Sequence, residues 1–160
     1  MLMIMKHYDI HAEARNAQVT AIARATLAVA EIGPWLGKTY EAIARLLADR
    51  QAGPAGPPFA RYHRLGEGRF EVEAGFPAAR PIEGNGDTQP SELPGGQVAV
   101  TIHTGPYDQM VPAFQALASW VSEHGGELAG DPWEVYFSDP STEPDPATWR
   151  TQIVQPYRQA

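Results

Sequence analysis

Residues 97–137, QVAVTIHTGPYDQMVPAFQALASWVSEHGGELAGDPWEVYF, decide the fold. Val98, Val100 and Ile102 alternate with Ala99, Thr101 and His103, the period of a half-buried strand. Gly105-Pro106 breaks that strand. Met110, Phe114, Leu117 and Val121 then fall at helical spacing and make one apolar stripe. Pro112 lies near the first turn, where a missing N–H costs little. Gly125-Gly126 supplies a helix stop. After Gly130-Asp131-Pro132, the run Trp133 to Phe137 reads as a second strand.

The unit occurs twice. With the numbering shifted by 74, Leu36, Tyr40, Ile43 and Leu47 fall on Met110, Phe114, Leu117 and Val121. Gly56, Pro58, Phe59 and Tyr62 fall on Gly130, Pro132, Trp133 and Tyr136. Gly33-Pro34 matches Gly105-Pro106 at a shift of 72, as residues inserted in a loop produce. Amphipathic helices share stripes by chance; a stripe that also shares glycines, prolines and a tyrosine points to an internal duplication.

Composition bounds the rest. A chain of 160 residues that is 43% hydrophobic can bury a core as one domain or two intertwined halves. No apolar run approaches the roughly 18 residues of a membrane span. The N-terminal MLMIMKHYDIHAEAR has no small-residue cleavage site and reads as a first strand, not a leader. Cysteine is absent, which excludes disulfides, thiolate catalysis and thiolate-bound zinc and leaves the cytoplasm as the default compartment. A net charge of −7 without a Lys/Arg cluster disfavours direct nucleic-acid binding.

In chain order, residues 6–14 alternate loosely, with Tyr8 and Ile10 turned inward. Residues 18–25 form a strand that continues in broken form to Ile32. A helix follows from about Trp35 to Arg50. Strands at 59–64 and 70–76 flank a turn at Gly66-Glu67-Gly68. The Pro- and Gly-rich stretch 78–96 links the halves as an exposed, partly mobile connection. Residues 149–156 close the sheet. Each half thus reads β-α-β-β, at about 1–77 and 97–160. Together they predict a single α+β domain over 1–160, one mostly antiparallel sheet with two helices on one face. Its other face either meets solvent or forms a groove. Period 2 then sends Val98, Val100 and Ile102 to the helices and leaves Tyr62, His103, Glu134 and Tyr136 on the groove face. Trp35 and Tyr107, each directly after a Gly-Pro, are placed at its mouth.

Ala99-Val100-Thr101-Ile102-His103-Thr104-Gly105-Pro106-Tyr107, then Phe114, Leu117 and Trp120, then Glu134-Val135-Tyr136 and Asp139-Pro140, with Thr151-Gln152-Ile153 before Pro156, resemble the GyrI-like small-molecule-binding domain. That domain is also the effector-binding part of some AraC-type and MerR-type multidrug-responsive regulators. The resemblance implies two pseudo-symmetric β-α-β-β modules with a ligand groove. It implies that Glu134 is the buried carboxylate meeting hydrophobic, often cationic aromatic ligands, with Tyr136, Tyr62, His103, Tyr107 and Trp35 around it. A buried carboxylate is expensive without a partner, and a ligand cation removes that penalty.

Three functional readings are compatible with the sequence. One is a sensor or sequestering protein for such compounds. No DNA-binding segment accompanies the domain in this sequence, so a regulatory role calls for a separate protein partner. The second is a hydrolase of electrophilic cyclopropane-containing natural products, as some stand-alone relatives are, with Glu134 and Tyr136 as its catalytic residues. The third is an interaction module that shields DNA gyrase. His103 also reads as a hydrogen-bonded strand histidine. The five histidines show no metal-ligand spacing; His7 and His11 lie in a predicted strand, where residues four apart do not chelate as they do on a helix. No phosphate-cradling or dinucleotide fingerprint is present, so neither metal nor cofactor is expected. Monomer and homodimer are both compatible with the sequence.

Overall fold

The computed structural model describes residues 7–160. The remainder of the predicted N-terminal strand lies outside the described residues. Within them are β1 (His11–Arg15), β2 (Gln18–Ala28), α1 (Val29–Asp49), β3 (Phe59–Gly66), β4 (Arg69–Pro77), β5 (Gln89–Leu93) and β6 (Gly96–Thr104). Then come α2 (Val111–Glu123), β7 (Gly126–Leu128), β8 (Trp133–Tyr136) and β9 (Arg150–Gln159). Short 3-10 turns at Tyr107–Gln109 and Pro146–Thr148 complete the set. The nine strands form one antiparallel sheet in the order β1-β6-β9-β8-β3-β4-β2-β5, with β7 beside β9. This is the α+β sheet with two helices that the sequence predicts. No helix of the described residues is long and apolar enough to cross a membrane.

The sheet is symmetric about its centre. The triplet β6-β9-β8 on one side repeats as β2-β4-β3 on the other. At the junction Ala60 pairs with Glu134, Phe59 with Val135 and Arg61 with Trp133. Ala60 and Glu134 are also partners under the shift of 74, so the local two-fold passes through the Ala60–Glu134 pair.

The expected faces are reversed. Ala99, Thr101 and His103 lie toward α2, in line with Ile153 and Thr151 of β9. Val98 and Val100 lie on the opposite face, and Ile102 there is 38% exposed. The physical reason is a second apolar core. Ile22, Phe59, Leu93, Val98, Val100, Trp133 and Val154 pack together on the helix-free face. Leu93 belongs to one edge strand and Val98 lies next to the other edge, so the sheet curls upon itself and needs its bulky residues inside the curl. The helix face instead carries small side chains, among them Ala21, Ala23, Ala60, Ala74 and Ala99, all buried. They let α1 settle through Ile43 and Leu47, and α2 through Met110, Ala113, Leu117 and Val121.

Two further elements depart from the prediction. α1 starts at Val29 and contains Pro34, so Gly33-Pro34 is no strand-ending turn. Glu31 Oε1 accepts the Ala28 N–H at 2.8 Å, and this acidic cap starts the helix before the proline. The stretch 78–96 is no free connection either. Ala78, Ile82 and Leu93 are buried and β5 pairs along β2. Pro90 is tolerated because β5 is an edge strand.

Candidate functional site

Both helices lie on one face, yet they pack on opposite halves of the sheet: α1 on β2 and β4, α2 on β6 and β9. The centre of that face, β3 and β8, stays uncovered, and a groove of about 1720 Å³ lies over it. The ligand groove therefore runs between the helices and not on the face opposite them. Glu134 and Tyr136 of β8 and Tyr62 of β3 line its floor. Leu36 and Tyr40 of α1, with Phe76, form one wall. Phe114 and Val111 of α2, with Tyr107, form the other. Gly33 and Gly37 keep the first wall low, since a Cβ on either would meet nothing within 4 Å.

The floor is a hydrogen-bonded chain. Tyr136 Oη donates to Glu134 Oε1 at 2.9 Å, and its proton being so used, Tyr62 Oη donates to Tyr136 Oη at 2.8 Å. Tyr40 Oη donates to the Phe59 carbonyl at 2.8 Å, and its ring meets Tyr136 edge-on at 6.4 Å. Tyr107 meets Tyr136 edge-on at 5.6 Å and stacks on Trp149 at 4.9 Å. These contacts fix the aromatic rims before any ligand arrives.

The electrostatics follow from burial. Glu134 keeps some surface at the groove floor, but the protein around it strips most of its water. Its carboxyl is pushed up to about 7, with the Tyr136 hydrogen bond pulling the other way. The phenols of Tyr40, Tyr62 and Tyr136 are raised by burial first, and by the nearby Glu134 charge. They stay neutral donors. No ion pair among the described residues involves Glu134. Glu41, Asp108 and Asp139 also line the groove, against one guanidinium, Arg64, so the surface is net acidic. Removing the Tyr136 hydroxyl (Tyr136→Phe) takes from Glu134 its donor and is expected to raise the carboxyl further, as a carbon-detected NMR titration of that carboxyl would read.

Four of the six sequence-predicted site residues meet in the groove: Glu134, Tyr136, Tyr62 and Tyr107. Two do not. His103 is fully buried beneath the N-terminal segment, its Nδ1 3.1 Å from Tyr8 Oη and its Nε2 3.1 Å from the Pro106 carbonyl. It follows the reversed face of β6 and ties the Gly105-Pro106 turn to the sheet. Trp35 packs with the Ala21–Ile43–Leu47 core, because the earlier start of α1 rotates it away from the mouth. Tyr40 and Phe114, both wall residues, are not among those six, because their stripe marks a helix and not which of its residues faces a groove. The signal was available: they are matched aromatics under the shift of 74. Among the described residues no three His, Asp or Glu side chains are grouped to hold a metal.

Solved structures share this fold. The chain matches the EcmrR chain of a cryo-EM EcmrR–DNA complex with 21% identity and a TM-score of 0.81, covering 96% of this chain and 58% of that one. It thus spans less than two thirds of that chain's length. Against the crystal structure of the EcmrR C-terminal domain the identity is 21% and the TM-score 0.75, over 96% of this chain and 99% of that one. The structure of SAV2435 bound to tetraphenylphosphonium matches at 12% identity and a TM-score of 0.61, over 96% and 94%. No curated protein sequence matches. The family model of the GyrI-like small molecule binding domain matches residues 21–158. With nearly the whole chain inside that match, the protein belongs to the GyrI-like family.

Proposed function

We propose that the groove binds a hydrophobic, aromatic cation, and that the protein acts as a sensor or sequestering agent for such compounds. The observation that carries this reading is Glu134, a desolvated carboxylate without a cationic partner, set in a floor and walls of tyrosines. A ligand cation offsets the desolvation of Glu134, and aromatic faces add about 0.5–2 kcal/mol each. The acidic rim favours approach of the same charge. The binding of tetraphenylphosphonium by SAV2435, of the same fold, supports the choice of probe.

The test is isothermal titration with tetraphenylphosphonium near pH 8. The wild type is expected to bind, and Glu134→Gln to bind about a hundredfold more weakly, the loss expected when one partner of a buried charge pair is removed. Equal affinities would remove Glu134 from the account. A second reading rests on the same pair: a carboxyl near neutrality, hydrogen-bonded to a phenol, suits general acid–base hydrolysis of an electrophilic cyclopropane. Turnover that survives Glu134→Gln would end it.

A further inference from the structure

We infer that the chain carries a second small-molecule site, on the sheet face opposite the groove, which takes an amphipathic organic anion. A cavity of about 420 Å³ lies there, within the usual range for small-molecule pockets. Phe59, Trp133 and Val135 give it an apolar wall, and Arg15, Gln18 and Gln152 a polar rim. The strand β8 serves both sites. Its odd residues, Trp133 and Val135, line the cavity, and its even residues, Glu134 and Tyr136, line the groove.

The two sites differ in the charges that line them as well as in position. Four carboxylates and one guanidinium line the groove. One guanidinium and no carboxylate line the cavity. Arg15 is held in place at that rim by an ion pair that offsets part of its charge: its Nε–H donates to Glu13 Oε2 at 2.8 Å, and its Nη2 donates to Gln152 Oε1 at 3.5 Å. Glu13, which also meets His11 Nε2 at 2.6 Å, is not part of the cavity wall. A guanidinium has five N–H donors, so three remain for an incoming carboxylate or sulfonate. The ligand's apolar body would then lie against Val135, Phe137 and Pro57, which keep surface at the cavity. A cation is disfavoured by Arg15, and a wholly apolar compound would leave that rim without an acceptor.

The probe is 1-anilinonaphthalene-8-sulfonate, titrated into the full chain and followed by tryptophan-to-dye energy transfer. Saturable binding at one site is expected. Arg15→Glu should weaken it by at least about tenfold, a charge reversal at close range. Saturating tetraphenylphosphonium should not displace the dye. Should Arg15→Glu lose its native circular dichroism, Gln152→Glu puts the same charge on the same rim and is read in its place. No binding, equal affinity in the folded rim variant, or one-for-one displacement by the cation would each overturn the proposal. Failure of the cation to bind would count against the groove reading and leave this site standing.

Discussion

Glu134→Gln is expected to be more stable than the wild type near pH 8, by about 3 kcal/mol. The carboxyl ordinarily titrates near 4.5 and is pushed up to about 7 in the folded protein, chiefly by burial. Folded protein therefore binds more protons than unfolded protein between those two values, and stability falls as pH rises through them. Below about pH 4.5 the group is neutral in both states and costs nothing. Above about pH 7 it is ionised in both, and the desolvation penalty is present in full. At about 1.4 kcal/mol per pKa unit the difference amounts to about 3 kcal/mol, or about 6–12 °C in melting temperature for a chain of this size. The glutamine keeps a carbonyl to accept the Tyr136 hydroxyl, so little else changes. Thermal unfolding of both proteins across that range is the check. They should coincide near pH 4 and separate above it; a gap independent of pH would mean that something other than the Glu134 charge is responsible.

A larger effect is expected from the smallest side chain. Gly75→Ala would place a Cβ 1.9 Å from the Ala21 carbonyl oxygen and 2.9 Å from Ile22 Cα, both backbone atoms of β2. Backbone cannot swing aside as a side-chain end can, so β2 and β4 would have to part where Ile22 pairs with Gly75. The loss should be at least about 4 kcal/mol, a large share of the stability of a typical domain. Chemical denaturation reads it. Gly33→Ala is the control: its Cβ meets nothing within 4 Å and alanine favours the helix, so stability should hold or rise by about 1 kcal/mol.

Gly33 and Gly105 show which parts of the fold the sequence discloses. Gly33 beside Pro34 reads as a breaker, yet the cap from Glu31 carries α1 straight through it. Gly105-Pro106 does break its strand, since the 3-10 turn of Tyr107–Gln109 follows. Pattern alone does not separate the two cases, because the deciding group, Glu31, lies two residues before the pair. The helical stripes and the alternation that puts Glu134 and Tyr136 together were legible, as local periodicities are. The orientation of β6 was not. Alternation tells which residues share a face but not which face the helices cover, and here both faces are apolar. A hint lay in side-chain size: alanines at 21, 23, 60, 74 and 99 leave room for helices, and valines and aromatics fill the curl. His103 and Trp35 were misplaced for these reasons. The central pairing of Ala60 with Glu134 and the symmetric strand order support reading the chain as a duplicated unit. On that reading the site sits on the axis, one half supplying the carboxylate and the other an alanine that leaves it room.

If Glu134 ionises to receive a cation, binding must release its proton. Near pH 6.5 the free protein should hold Glu134 mostly protonated, given a carboxyl pushed up to about 7. A bound tetraphenylphosphonium would favour the carboxylate and expel that proton. Calorimetric titrations in two buffers of different ionisation enthalpy should therefore show release of up to about three-quarters of a proton per cation bound, vanishing near pH 9 and in Glu134→Gln. Binding of equal strength with no proton released at any pH would contradict the account.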